Sequence, residues 1–379
     1  MQTLIVTTRI PPAYCSQTHN HTITQSQKMD VTIKSGCLRV RLSSKSRIGK
    51  LLESINVLRS QKEITCLRLE NVNLFNSSCF WKLFNFIRDN VPHLTALELI
   101  SCDFGRCVQD IMPHLRICLT ASTCQIKTLA LDGTKIGDEG MEVINGLLLE
   151  SKITSLSLNG CGIGPLGAGN LLSILEKNPD KLETLLLDEN KVGSMSYFLA
   201  GEVMKKSKTL RVLDLGCAED VECAKSNFMA GTRGSCVEVL RSGGRILECE
   251  RLLKLMTEYP DEFNIRQIQS QDWPGTPVPY QTLVDFLNKY NKIEQLYVFC
   301  FDYPADDTTL KDALNNHPSL RLISLRDYLD DAVREYFYKL QEPSIQYPLL
   351  LMRAKKCITS PISRLPNDLI KHHLVPFLR

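Results

Sequence analysis

The chain has 379 residues, of which 43% are apolar and 23% charged, and a formal net charge of +3. These are ordinary values for a folded globular protein, and so small a charge, with no Lys/Arg-rich run, argues against a nucleic-acid partner. No stretch approaches 18 consecutive apolar residues, so no membrane span is expected, and the N-terminus lacks the basic and long apolar regions of a secretory signal.

Residues 1–30 are polar, rich in Thr, Gln and Ser, and show neither helical nor strand periodicity. They are expected to form a flexible or irregular N-terminal segment, in which His19 and His21 are tail residues and not a metal pair. The fifteen cysteines include no CxxC pair. That usage fits a reducing compartment in which thiols act as small apolar side chains, not a disulfide framework.

From residue 37 onward one pattern recurs. Leu94, Leu97 and Leu99 are followed by Cys102, Phe104 and Gly105. Ile126, Leu129 and Leu131 are followed by Thr134, Ile136 and Gly137, and Ile153, Leu156 and Leu158 by Cys161, Ile163 and Gly164. A fourth copy runs Leu182, Leu185, Leu187, Asn190, Val192 and Gly193. Weaker copies start at 37, 64, 210, 237, 265, 293 and 320, so that successive starts are 27 to 32 residues apart. The copies at 237 and 265 replace the third apolar residue by Ser242 and Ser270 yet keep the phase.

A period of this length leaves room for a helix after each strand. Met141, Ile144, Leu147 and Leu148 share one helical face, as do Leu171, Leu172 and Leu175 before Asn178 and Pro179 stop the run. Pro92, Pro260 and Pro318 also stand just before strands, where a helix must end. The pattern resembles the ribonuclease-inhibitor-like subfamily of leucine-rich repeats over residues 37–330. That resemblance implies an α/β fold: a curved right-handed solenoid of about eleven strand–helix repeats, with a parallel concave sheet and helices outside. Cys102, Thr134, Cys161 and Asn190 occupy the polar position of the motif, where a small side chain bonds the backbone of the neighbouring turn. They read as a structural ladder, not a metal or catalytic cluster.

The solenoid is expected to span residues 31–330, and 331–379 to form a C-terminal helical cap, with a helix over 332–340. Near the end, Leu365 and Pro366 followed by Leu369, Ile370 and Leu374 resemble the first helix of an F-box, the module that docks onto Skp1-type ubiquitin-ligase adaptors. The resemblance covers about 14 residues, and Pro376 interrupts the helix. A plain capping helix and an adaptor-docking helix both remain open.

No P-loop, HExxH or GxSxG motif is present, and the glycines at 162, 164 and 167 sit where the repeat turns. No catalytic residue, metal or cofactor is therefore expected. Strand alternation points Arg39, Arg41, Arg68 and Glu70 out of the first turns, then Glu98, Asp132, Asn159, Asp188, Glu189 and Asp214. Later turns present Gln267, Gln269, Tyr297, Phe299, Arg326 and Asp327. An acidic middle flanked by aromatic anchors suits a basic protein or peptide partner. The expected partner-binding residues are Glu98, Asp132, Asp188, Glu189, Asp214, Tyr297, Phe299 and Arg326.

The functional expectation is a cytoplasmic protein–protein interaction scaffold. The alternative is a substrate-recruiting adaptor for a Skp1-type ubiquitin ligase. The thiols, repeats and C-terminus together resemble effectors of intracellular bacteria, which implies action in a host cytosol.

Overall fold

The computed structural model describes residues 29–42, 48–72, 77–102, 104, 108–217, 222–242, 249–270, 278–301, 308–327, 334–339 and 349–351. Within them, strands and helices alternate. A two-stranded hairpin, β1 (Met29–Lys34) and β2 (Cys37–Leu42), leads into α1 (Ile48–Ile55). Then follow β3 (Cys66–Glu70), α2 (Ser77–Asn90), β4 (Ala96–Ile100), α3 (Val108–Thr120), β5 (Thr128–Ala130), α4 (Gly137–Glu150), β6 (Ser155–Ser157) and α5 (Pro165–Lys177). The chain continues through β7 (Thr184–Lys191), α6 (Gly193–Lys206), β8 (Val212–Cys217), α7 (Glu222–Thr232), β9 (Val239–Ser242), α8 (Cys249–Glu258) and β10 (Gln267–Ser270). It ends with β11 (Val278–Pro279), α9 (Tyr280–Lys289), β12 (Gln295–Phe301), α10 (Thr308–Asn316), β13 (Leu322–Asp327), β14 (Arg334–Lys339) and β15 (Leu349–Leu351).

All but β11 form one sheet in simple sequence order, and every neighbouring pair from β2 to β13 along it is parallel. This is the leucine-rich-repeat solenoid that the spacing implied. Strands stack about 4.8 Å apart, whereas packed helices need about 8–10 Å. A sheet on one side and helices on the other must therefore bend with the sheet inside.

The repeat leucines line the space between the two layers. Leu97, Leu99, Leu129, Leu131, Leu156, Leu158, Leu185, Leu187, Leu213 and Leu215 are fully buried. They meet helix residues such as Met141, Ile144, Leu147, Leu171 and Leu172, each burial contributing about 1.5–3 kcal/mol. The degenerate middle holds its place because two buried residues per strand suffice: Leu240 and Ile268 are fully buried and adjacent in register, with Ser242 beside Ser270.

The polar position of the motif forms the expected ladder. Thr134 Oγ1 donates to the Leu99 carbonyl at 3.0 Å and accepts from the Cys102 N–H at 3.2 Å. Cys161 Sγ donates to the Leu131 carbonyl at 3.1 Å. Asn190 Nδ2 donates to the Leu158 carbonyl at 2.7 Å, and its Oδ1 accepts from the Ile163 N–H at 3.0 Å. Each bond ties a turn to the one before it and satisfies buried backbone that the short strands leave unpaired. On the helical side, α6 and α7 approach to backbone contact. A Cβ on Gly231 would lie 2.7 Å from the Gly201 Cα, and one on Gly201 would lie 2.5 Å from the Asn227 carbonyl.

The two ends of the sheet are closed by reversal of the chain. Ser35 (φ 49°) and Gly36 (φ 71°) make a two-residue turn with both φ positive, and β1 pairs antiparallel with β2. At the other end the helix expected over 332–340 is strand β14 across its described residues, antiparallel to β13 with Tyr336 opposite Leu325 and Tyr338 opposite Ile323. Tyr336, Phe337 and Tyr338 favour strand, and the open edge of β13 supplies a backbone template that no helix can use. β15 then pairs antiparallel with β14. The adaptor-docking candidates Leu365, Pro366, Leu369, Ile370 and Leu374 lie outside the described residues.

Candidate partner-binding face of the sheet

With the leucines turned to the helices, alternate strand residues face away from them. The register lines these up in a column: Arg39, Arg68, Glu98, Ala130, Ser157, Leu186, Asp214, Arg241, Gln269, Tyr297 and Ser324. Three chemically different zones follow one another along it.

The first zone is a self-contained charge network. Glu70, only 4% exposed, receives Arg68 Nε at 2.5 Å, Arg41 Nε at 3.1 Å and Arg39 Nη2 at 3.0 Å. Arg68 also reaches Glu98 Oε2 through Nη1 at 2.7 Å. Burial acts to raise the Glu70 carboxyl, but the Arg68 hydrogen bond and the three guanidinium charges outweigh it and hold the group below its ordinary value. Glu98, expected to meet a partner, is thus already paired within the fold.

The second zone spans β5 to β8. Its outward positions hold Thr128, Ala130 and Asp132; Ser155, Ser157 and Asn159; Thr184, Leu186 and Asp188; Val212, Asp214 and Gly216. That gives three carboxylates and no Lys or Arg. Asp132 and Asp188 belong to a second ladder that the sequence reading missed. Asp132 Oδ1 accepts from the Asn159 N–H at 3.0 Å and the Ser157 hydroxyl at 2.5 Å, and Asn159 Oδ1 accepts from the Asp188 N–H at 2.8 Å. Asp188 Oδ1 in turn accepts from the Glu189 N–H at 2.8 Å. The recurrence of Asp or Asn directly after the third leucine of these repeats was the available signal. Glu189 is exposed and adopts a left-handed backbone (φ 58°) where the β7–β8 register breaks between Leu187 and Lys191.

At the border of the third zone Asp214 is 4% exposed, and its Oδ2 stands 3.9 Å from Arg241 Nη1. Asp214 Oδ1 and Arg241 Nε find no hydrogen-bond partner among the described residues. Burial pushes the Asp214 carboxyl up to about 7; the Asp188 charge adds to this and Arg241 opposes it. Arg241 escaped the sequence reading, although it occupies the same motif position as Asp214 one repeat earlier. Farther along, Tyr297 is half-buried beside Gln269 and Ser324 instead of standing exposed. Phe299 and Arg326 are aligned neighbours on β12 and β13.

The glycines at 162, 164 and 167 are turn and packing residues. Gly162 has φ 71°, and the Gly164 N–H at the start of α5 donates to Asp138 Oδ1 at 2.7 Å. A carboxylate of the preceding repeat already occupies the position where a phosphate would sit. No group of three or more potential metal ligands occurs among the described residues. None of their helices is long and apolar enough to cross a membrane.

Residues 124–144 and 151–172 match the family model described as Leucine Rich repeat. In the solved structures, a chain in the crystal structure of the Rad7 and Elc1 complex in yeast is similar at 14% identity with a TM-score of 0.42. The similarity covers 72% of this chain and 70% of that one.

Proposed function

We propose that this leucine-rich-repeat solenoid is a protein-interaction scaffold, and that its partner lies across the outward face of β5 to β8 with a basic surface. The observation that carries this reading is the acidic zone: Asp132, Asp188 and Asp214 within four successive repeats, with no Lys or Arg at the outward positions of those four strands. A cation brought close by the partner would favour the charged form of Asp214. Self-neutralised charges around Glu70 leave the N-terminal strands a poorer surface for a charged ligand. The helices of 8 to 14 residues that follow β2 to β10 and β12 support the ribonuclease-inhibitor-like form of the repeat.

The test uses a triple variant, Asp132→Asn, Asp188→Asn and Asp214→Asn. An Asn carbonyl still accepts the ladder N–H bonds, so the fold is retained while three charges are removed. A partner found by cross-linking from the outward face, for instance through a photoreactive residue at Ser155, should lose at least tenfold in affinity for the triple variant. Its binding to the native chain should weaken steeply with salt. Equal affinity for both proteins, or cross-links confined to the helical side, would show that another surface binds.

A further inference from the structure

The first repeat, expected to start at Cys37, is shifted by two residues, because Leu38 and Val40 align with Leu67 and Leu69; Cys37 and Cys66 are thereby left as a pair that neither the repeat motif nor partner binding requires. Cys37 on β2 and Cys66 on β3 are aligned neighbours in the parallel register. Their sulfurs are hydrogen-bonded at 2.8 Å. Both are half-buried and point out of the sheet, away from the helices, so small solutes reach them. We propose that Cys37 and Cys66 form a dithiol–disulfide site, oxidised by small peroxides and restored by thiol reductants, that locks the N-terminal hairpin to the second repeat.

The geometry favours closure. Neighbouring strands bring Cα atoms to about 4.8 Å, inside the range of about 4.4–6.8 Å that a disulfide spans. The sulfurs need to close by less than about 1 Å to reach bonding distance near 2.05 Å.

The surroundings divide the labour between the two groups. The hydrogen bond from the Cys66 thiol, aided by the charges of Arg68 and Arg39, holds Cys37 below the ordinary thiol value, against burial and Glu98. The same hydrogen bond, with burial, pushes Cys66 up. Cys37 is therefore the attacking thiolate and Cys66 the resolving thiol. Three buried thiols of the array are poor nucleophiles by comparison: burial pushes Cys102 and Cys118 up to about 12 and Cys161 higher still.

The chemistry balances in two steps. The Cys37 thiolate attacks one peroxide oxygen, the O–O bond breaks, and hydroxide leaves from a Cys37 sulfenic acid. The Cys66 sulfur then attacks Cys37 Sγ, the S–O bond breaks, and the departing hydroxide takes the proton of Cys66 as water. Hydrogen peroxide is reduced to two waters as two thiols lose two electrons and two protons.

The bond would add a covalent link between strands held together by their ladder and by the Arg39 and Arg41 ion pairs with Glu70. β2 belongs to the hairpin at the end of the array, and ends of solenoids open first. Closing the 29-residue separation between the two cysteines ties the hairpin to β3 and suppresses that opening.

The experiment treats the full chain with hydrogen peroxide near neutral pH, alkylates the remaining thiols, and maps cross-linked peptides by mass spectrometry. The expected product joins the peptides of Cys37 and Cys66, is reversed by dithiothreitol, and is absent from Cys37→Ser and Cys66→Ser. Cys37→Ser is expected to leave Cys66 unoxidised, whereas Cys66→Ser should halt at a trappable Cys37 sulfenic acid. Amide exchange in β1 and β2 is expected to slow at least tenfold on oxidation. Circular dichroism of each serine variant checks that the fold is kept, and either variant unfolding sends the test to the native chain alone, where mapped peptides decide. Both thiols remaining alkylatable after peroxide, a disulfide joining other cysteines, or unchanged exchange in the hairpin would each overturn the proposal.

Discussion

Replacing Asn190 by Ala removes the most heavily used side chain of the inter-repeat ladder. Asn190 is 2% exposed, and its amide donates to the carbonyls of Leu158 at 2.7 Å, Leu187 at 2.9 Å and Asp188 at 3.1 Å. Its carbonyl accepts from the Ile163 N–H at 3.0 Å. Ala leaves at least the Ile163 N–H and the Leu158 carbonyl buried without these bonds. At about 1–3 kcal/mol for each orphaned group, the expected loss is about 4 kcal/mol, a large share of the roughly 5–15 kcal/mol that stabilises a folded domain. Because a solenoid couples only nearest neighbours, the damage should appear first between β6 and β7. The assay is urea unfolding followed by circular dichroism, paired with amide exchange at Ile163. Cys161→Ala serves as the comparison: it removes one weak thiol donor and should cost about 1 kcal/mol. A loss below about 1 kcal/mol for Asn190→Ala, with Ile163 exchange unchanged, would refute the view that this ladder couples the repeats.

Four further outcomes are expected. Gly231→Ala forces α6 and α7 apart, since the new methyl would meet the Gly201 backbone; thermal unfolding should show a loss of about 2–3 kcal/mol. Gly169→Ala on α5 meets nothing within 4 Å and should instead gain up to about 1 kcal/mol. Asp214 is raised from 3.8 to about 7 in the fold, so the native state holds its proton more tightly than the unfolded chain. Its contribution is complete below about pH 4 and is lost as pH rises through about 7. Asp214→Asn should therefore stabilise the protein relative to the native chain at pH 8 and not at pH 4, which paired denaturation curves would measure. His317 behaves in the opposite sense. Burial lowers it from 6.5, with Nδ1 accepting from the N–H groups of Ser319 and Leu320 and Nε2 2.8 Å from the Tyr290 carbonyl. Its contribution is present above pH 6.5 and is lost as pH falls through the lowered value, so exchange at Ser319 and Leu320 should accelerate under acid, unlike in His317→Asn.

Much of the architecture could be read from the residues alone, because it depends on a short pattern repeated at a nearly constant interval. Leucines at three fixed positions, a small polar residue three places on and a helical face after it dictate a strand, a turn and a helix. That requirement is local to each repeat, so the phase survived where Ser242 and Ser270 replaced leucine. The role of Cys102, Thr134, Cys161 and Asn190 was legible for the same reason. Contacts between turns were not. Glu98 looks like a free acid until the register sets it against Arg68, and Asp214 looks solvated until burial leaves it beside Arg241. Asp132 read as a surface charge, yet its carboxylate accepts a backbone N–H from the next turn. The residues at 334–339 satisfy helical and strand patterns alike, and only the unpaired edge of β13 decides between them. Sequence thus determined what each repeat is, since that is a matter of local periodicity and burial. Tertiary structure decided which charges are spent on the fold and that Cys37 lies against Cys66, because each depends on residues about 30 positions apart meeting across the sheet.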